Sequence, residues 1–335
     1  MEAIDVHFHI VPPRFVDLVR GQALRAIVDV ERAVDADRLT FRPPPGIAIE
    51  PDAAFRPHLY DARLIVEAMD RRGLDAAAVS PAPEFFLYWA PPELGILIAR
   101  TINDGMAEQA RAYPDRFLPL ATLPMQDPTG AARELERAVA ELGLRGAALC
   151  THVNGRDLDS PEFRPVLATA ARLGAPVFLH PQNAGDLSRL SAYHLWNLVG
   201  FPTESAVAAS RLVMSGVFEE LPDLRVVLAH GGGYFPYQIG RLDHGYHARP
   251  ELQARLPKPP SAYLGNVYAD SLIHDGRSLR FLIDRLGADH VVLGSDYPFD
   301  MGCEAPMAAV RELGLPVEQE RAVLGGSLAG LLGVG

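Results

Sequence analysis

Short apolar runs rich in β-branched residues alternate along the chain with longer segments of helical period, and this alternation constrains the fold most. Runs that are apolar on both faces and separated by helices are typical of buried parallel strands. We predict strands at Ala3–Val6, Asp75–Ser80, Phe117–Ala121, Gly146–Cys150, Pro176–Leu179, Arg225–Ala229, Val267–Asp270 and His290–Gly294, with helices such as Pro128–Glu141 and Arg277–Leu286 between them. Eight such strands predict an α/β fold, a (β/α)₈ TIM barrel, with a doubly wound sheet as the alternative.

One proline-rich segment interrupts the alternation after the first strand. It contains FRPPPGIAIEPDAAFRP and has little helical period. Long irregular insertions in compact domains are usually functional or disordered. Single α/β barrels reach this length of 335 residues. We therefore expect one barrel domain over residues 1–335, with a small inserted subdomain or lid at approximately 14–57.

Charge and cysteine content exclude several classes of protein. The chain has 31 basic and 42 acidic residues, a net charge of −11, which argues against binding to nucleic acid or to an anionic membrane surface. Its two cysteines, Cys150 and Cys303, imply no disulfide framework. We find neither a signal peptide nor an apolar run long enough to span a membrane. The expected location is the cytoplasm.

Polar residues end several of the predicted strands. The first strand ends in His7-Phe8-His9, the fifth in His180, the sixth in His230 and the eighth at Asp296. Catalytic residues of a barrel lie at the carboxyl ends of its strands. Strand residues two apart share a side, so His7 and His9 can reach one cation. Imidazole and carboxylate suit Zn²⁺ and similar metals, whereas a lone His-x-His can simply end an exposed strand.

Three further positions leave alternatives open. His230 can be a fourth nitrogen ligand, a core histidine or a general base, and a neutral imidazole beside a metal-bound water suits the last role. Arg241 lies on the predicted helix after strand six, where it either clamps a substrate carboxylate or is a surface charge. Strand four ends in ALCTH without a lysine to bridge two metals, which favours a single metal.

Longer motifs carry a family resemblance over nearly the whole chain. The segments IDVHFHIVP, YDARLIVEAMDRRGLD, FLPLATLPMQDP, AHGGGYFPYQIGRLDHGY and VVLGSDYPF resemble, in order, the decarboxylase branch of the amidohydrolase superfamily. The resemblance implies one Zn²⁺ per chain, held by His7, His9, His180 and Asp296, with a water that His230 activates. It also implies a homodimer in which Arg241 reaches the neighbouring site and binds substrate carboxylate.

The resemblance leaves the substrate open. A second arginine should come from an FRP motif of the insertion, which offers Arg42 and Arg56; we prefer Arg56 because it is nearer the YDAR segment. Gln182 stands where the typical relative has an aromatic residue after His-Pro. The benzoate-type enzymes often carry Glu-x-His on the first strand, so the intact His7/His9 pair argues against membership of that group.

The activity implied is non-oxidative decarboxylation of a small unsaturated or aromatic carboxylic acid, such as a 2-amino-3-carboxymuconate-semialdehyde-like compound. Asp296 would shuttle a proton to carbon, and Arg241 and Arg56 would hold carboxylates. Phe299 and Trp89 would contact the apolar body of the substrate. A metal-dependent hydrolase or hydratase using the same site is the alternative. A non-catalytic, zinc-stabilised barrel is a third class, which fold alone does not exclude.

Overall fold

Eight parallel strands close into a barrel in the computed structural model, which describes residues 1–45, 52–182 and 189–334. The barrel strands are β1 (Ile4–Ile10), β5 (Ala76–Pro81), β6 (Leu120–Ala121), β7 (Gly146–Cys150), β10 (Val177–His180), β11 (Val226–Leu228), β12 (Val267–Asp270) and β13 (Val291–Val292). Ladders join β1 to β5, and a second sheet pairs the other six barrel strands in the order β6, β7, β10, β11, β12 and β13. Backbone bonds between Ala77 and Leu118, and from Val6 N–H to Leu293 O at 2.8 Å, close the ring.

Helices pack around the barrel, as the sequence predicts. They are α1 (Pro13–Arg20), α2 (Pro57–Tyr60), α3 (Ala62–Arg72), α4 (Pro92–Ala112), α5 (Pro128–Ala140), α6 (Arg164–Leu173), α7 (Phe201–Met214), α8 (Val217–Glu220), α9 (Phe235–Ala248), α10 (Pro250–Gln253), α11 (Gly276–Leu286), α12 (Pro306–Arg311), α13 (Val317–Arg321) and α14 (Ser327–Leu332). The prediction of a (β/α)₈ barrel is confirmed.

The segment between β1 and β5 contains more regular structure than its proline content suggests. Helix α1 begins at Pro13, where a missing N–H costs nothing, and buries Phe15, Val16 and Val19. Strands β2 (Val28–Glu31), β3 (Asp37–Phe41) and β4 (Asp52–Phe55) form an antiparallel sheet, here called the small sheet. Residues 46–51 of the predicted insertion lie outside the described residues.

Three barrel strands are shorter than predicted, and one of them, β11, loses a single residue at each end. Strand β6 is regular only at Leu120–Ala121, because Pro119 has no N–H to donate, although Phe117 still bridges to Ala77. Residues Ala288–His290 form a short 3₁₀ turn before β13. The hairpin of β8 (His152–Val153) and β9 (Arg156–Asp157) follows β7 on the surface. These local deviations leave the order of strands around the barrel unchanged.

Candidate metal centre and active site

Strand β1 brings two buried imidazoles to the mouth of the barrel. His7 and His9 are both inaccessible to solvent, and Phe8 between them packs on Tyr297 with ring centroids 4.3 Å apart. His7 Nδ1 lies 2.6 Å from Asp270 Oδ2, and His9 Nδ1 is 3.3 Å from the carbonyl of Pro81. Each ring is therefore held through Nδ1, which leaves Nε2 free for another ligand.

His180 and Asp296 meet these imidazoles from other strands. His180 ends β10, and its Nδ1 donates to the carbonyl of Pro181 at 2.6 Å. Asp296 follows β13, with Oδ1 at 3.1 Å from His7 Nε2 and 3.3 Å from His9 Nε2. Potential ligand atoms of His7, His180, His230 and Asp296 all lie within 4.8 Å of one another.

The chemistry of this cluster fits a divalent metal. The Nε2 atoms of His7, His9 and His180 and the Oδ1 atom of Asp296 are buried without a hydrogen-bond partner among the described residues. Buried polar atoms are rarely left in this state unless they bind a ligand. Burial lowers the pKa of His9 and of His180, which keeps both imidazoles neutral, as metal binding requires.

The electrostatic field at His7 favours a cation. Burial alone would lower the pKa of His7, but the charge of Asp296 and the bond to Asp270 outweigh it and raise the pKa to about 10. For Asp296, burial raises the pKa, but the positive charge of His7 and the nearby ring nitrogens of His230 and His7 outweigh burial and hold the pKa well below its usual range. The carboxylate therefore stays ionised and can bind metal.

His230 stands beside the cluster on a turn with left-handed backbone. Its φ is +55°, and its Nε2 lies 3.6 Å from Asp296 Oδ2. The ring of Phe201 stacks on it at a centroid distance of 6.2 Å. The imidazole retains some solvent exposure, unlike His7 and His9. His230 can thus be a fourth nitrogen ligand or can exchange protons with a group at the metal centre.

Asp270 is a functional residue that the sequence reasoning missed. It ends β12, and besides His7 it accepts hydrogen bonds from the backbone N–H groups of His230, Gly231 and Leu272. One carboxylate thereby fixes both a metal-facing imidazole and the turn that carries His230. Its position at the carboxyl end of a barrel strand was the available signal.

A cleft of about 980 Å³ lies between the small sheet and the mouth of the barrel. Arg56, Phe299 and Glu84 line it, and the Phe299 ring is 5.5 Å from that of His9. Arg38 and His58 also face the cleft. The cleft therefore holds two arginines and extends to Phe299, whose ring contacts the proposed metal ligand His9.

Other predicted substrate contacts lie elsewhere. Arg42 bonds to Asp29 at 2.8 Å on the surface of the insertion. Trp89 is buried and contacts Phe41, with no hydrogen-bond partner for its Nε1 among the described residues. Arg241 is exposed on α9. Of the candidates, Arg56 and Phe299 are the ones that share the cleft.

Barrel and metal-ligating cluster together define a class of protein. A family model described as amidohydrolase matches residues 4–327, and the chain belongs to this family. Its named relatives place it among the decarboxylases of the amidohydrolase superfamily.

Individual relatives cover almost the whole chain. The 2-amino-3-carboxymuconate-6-semialdehyde decarboxylase of Dictyostelium discoideum is 35% identical, over 99% of this chain and 91% of its own length. The structure of 5-carboxyvanillate decarboxylase from Sphingomonas paucimobilis has a TM-score of 0.83 at 26% identity, covering 100% of this chain and 99% of its own. A dihydroxybenzoic acid decarboxylase from Polaromonas sp., with bound manganese and 2-nitroresorcinol, has a TM-score of 0.76 at 25% identity, covering 99% and 96%.

Within the described ranges, every helix is too short or too polar to cross a lipid bilayer.

Proposed function

We propose that this chain is a metal-dependent, non-oxidative decarboxylase of a small unsaturated or aromatic carboxylic acid. The observation that carries the proposal is the convergence of four partnerless ligand atoms from His7, His9, His180 and Asp296 at the mouth of the barrel. The amidohydrolase alternatives, hydrolysis and hydration, would use the same atoms. The named relatives, which act on carboxymuconate semialdehyde and on substituted benzoates, favour decarboxylation.

The proposed metal is one Zn²⁺ per chain, held by His7, His9, His180 and Asp296. Three imidazoles, with the Nε2 proton of His7 displaced by the metal ion, and one carboxylate suit zinc, whereas manganese prefers more oxygen ligands. When bound, the metal supplies Lewis acidity and lowers the pKa of water. The manganese of the Polaromonas relative makes manganese the competing assignment.

Decarboxylation requires a proton at the carbon that loses CO₂. The carboxylate R–COO⁻ and one proton become R–H and CO₂, so a group beside the metal centre must deliver that proton. His230 is the proposed base that takes a proton from water, and Asp296 the proposed carrier to carbon; a proton from solvent then neutralises the hydroxide that remains, so that the net change is one proton consumed and one CO₂ released. Their separation of 3.6 Å between Nε2 and Oδ2 supports transfer between them after a small movement.

The cleft supports a role for Arg56 and Phe299 in substrate binding. Arg56 has no ion-pair partner among the described residues, so its guanidinium is available to a carboxylate. Phe299 offers an aromatic face next to His9. Trp89 remains a proposed contact of the apolar body of the substrate.

We further propose a cytoplasmic homodimer in which Arg241 completes the neighbouring site. Arg241 follows Tyr237 by four residues on α9 and Tyr234, the residue before the helix, by seven, and both tyrosines are exposed to solvent. Leu198, Val199 and Phe281 are also exposed large apolar residues. Such side chains support an interface with a second copy.

The cysteines support the proposed location in the cytoplasm. The free thiols of Cys150 and Cys303 fit a reducing compartment.

Metal content and CO₂ release, measured together on purified protein, test the proposal. The substrates are carboxymuconate-type and hydroxybenzoate-type acids, and metal is determined by elemental analysis. We expect about one zinc per chain and CO₂ release from at least one acid. Loss of substrate without CO₂ would shift the assignment to a hydrolase or hydratase, and a metal-free, inactive protein would overturn it.

A further inference from the structure

Glu84 is the partly buried acid of the cleft. It follows β5 on a short 3₁₀ turn, Pro83–Phe85, whose two flanking side chains are buried. The remaining acids that line the cleft are exposed, and they are Asp29, Glu31, Asp52 and Asp300. Glu84 is therefore the acidic group that a ligand entering the cleft would meet away from bulk water.

Glu84 forms no ion pair with any of the described residues, although Arg38 and Arg56 line the same cleft. Burial, reinforced by the negative charge of Asp296, raises its pKa to about 7. The backbone N–H of Glu84 itself acts on this carboxyl and lowers the pKa in part. A partly buried carboxyl group without an ion pair is costly, and the cost falls when a ligand donates a further hydrogen bond to it.

Glu84 lies on the side of the cleft that is connected, through Phe299, to the proposed metal centre. Phe299 lines the cleft together with Glu84 and also contacts His9. The charge of Asp296 acts on Glu84, so the two carboxyl groups belong to one electrostatic environment. A small acid bound between Arg56 and the metal centre would therefore present its ring or chain substituents to Glu84.

We propose that Glu84 determines substrate specificity by accepting a hydrogen bond from an amino or hydroxyl substituent on the carboxylic acid substrate. This inference rests on the proposed function, because it takes the cleft as the substrate site. An arginine for the carboxylate and a carboxyl acceptor for the substituent together select acids that carry a hydrogen-bond donor.

Binding of ligand pairs that differ in one substituent tests this role. Dissociation constants of benzoate, 2-hydroxybenzoate and 2-aminobenzoate are measured by calorimetry on the metal-loaded protein and on its Glu84→Leu and Glu84→Gln variants. We expect the wild type to favour the substituted acids, and Glu84→Leu to reduce that preference about 10- to 100-fold, the effect of one charge-assisted hydrogen bond. Glu84→Gln, which keeps a neutral acceptor, should fall between them.

Glu31→Gln, on the exposed rim of the same cleft, is the matched control and should keep the wild-type preference. A purely structural role for Glu84 would weaken all three ligands equally and leave their ratio unchanged. An unchanged preference in Glu84→Leu would therefore overturn the assignment. So would a wild-type protein that shows no preference among the three ligands or binds none of them. CO₂ release from the wild type, followed separately, decides the proposed function.

Discussion

Each imidazole at the mouth of the barrel divides its two nitrogens between two tasks. For His7, His9 and His180, Nδ1 bonds to the protein and Nε2 faces the centre of the cluster. Asp270 is the one charged acceptor in this set, and it also holds the turn at His230. A partner of this kind fixes the orientation and raises the basicity of a metal ligand.

At this scale, Asp270→Asn should weaken metal binding about 10- to 100-fold. The amide offers one oxygen acceptor where the carboxylate serves the ring of His7 and three backbone N–H groups. Chelator competition measures the affinity. Asp243→Asn is the control. It neutralises a carboxylate on α9 that accepts a hydrogen bond from Ser261 N–H, and the variant should bind metal normally. Equal affinities in the two variants would contradict the role of Asp270.

His230→Asn separates the two roles open to this residue. As a base, His230 supplies proton transfer, and its loss should lower turnover about 10²- to 10⁴-fold while metal content stays at the wild-type value. The measurements are CO₂ release and elemental analysis on the same preparation. Loss of metal with activity would instead make His230 a ligand. His290→Asn, before β13 at the other end of the barrel, should retain both activity and metal.

At the scale of elements, the turn from β11 to α9 has an unusual backbone. His230, Gly231, Gly232 and Gly233 all have positive φ, between 55° and 72°. Glycine tolerates these angles, whereas other residues adopt them at a cost of about 1–2 kcal/mol each. Only His230 among the four carries a side chain, so the turn places this imidazole at the metal centre on an otherwise glycine backbone.

Gly233→Ala should therefore lower the free energy of unfolding by more than about 2 kcal/mol. Its φ is +59°, and a Cβ there would overlap the carbonyl oxygen of Pro202 at the start of α7. Urea unfolding measures the change. Gly240→Ala, inside α9 with open space around its Cβ, should be stabilising by about 0.5–1 kcal/mol. A neutral Gly233→Ala would refute the close packing of turn and helix.

The parts of this architecture that the sequence predicts are those with a regular hydrophobic pattern or with polar residues at a fixed spacing. Alternation along β1 predicts that His7 and His9 share a side, and the apolar runs predict which residues end strands. Asp270 was missed although it ends the predicted strand Val267–Asp270, because a single aspartate has no second polar residue at a fixed spacing to draw attention to it. The position of Glu84 in the cleft was not predicted because it depends on how the turn after β5 is placed relative to the small sheet, which is a tertiary arrangement. The helix α1 was hidden by prolines that lie at or before its first turn.

At the scale of the whole molecule, the barrel and its insertion enclose the site from two sides, and α9 faces outward. Tyr234, Tyr237 and Arg241 are exposed, and their spacing of three and four residues is the spacing that places residues on one face of a helix. An arginine on the outer surface serves a buried site best when that site belongs to another copy. The proposed dimer can be tested without solving its structure.

Mixing two inactive variants provides that test. His230→Asn and Arg241→Ala should each be inactive alone. In a hybrid dimer, one site combines an intact His230 with the intact Arg241 of its partner, so random exchange at equal amounts should restore about a quarter of the wild-type activity. Light scattering verifies the dimer. If Arg241 served its own chain, each site would lack one residue and mixing would restore nothing.

The closure of the barrel also has a consequence for biosynthesis. His7 and His9 emerge from the ribosome early, on β1, whereas Asp296 follows β13 and emerges late. The full set of proposed ligands is therefore present only when nearly the whole barrel has been made, and an incomplete chain binds a metal ion more weakly because no preformed site exists before folding.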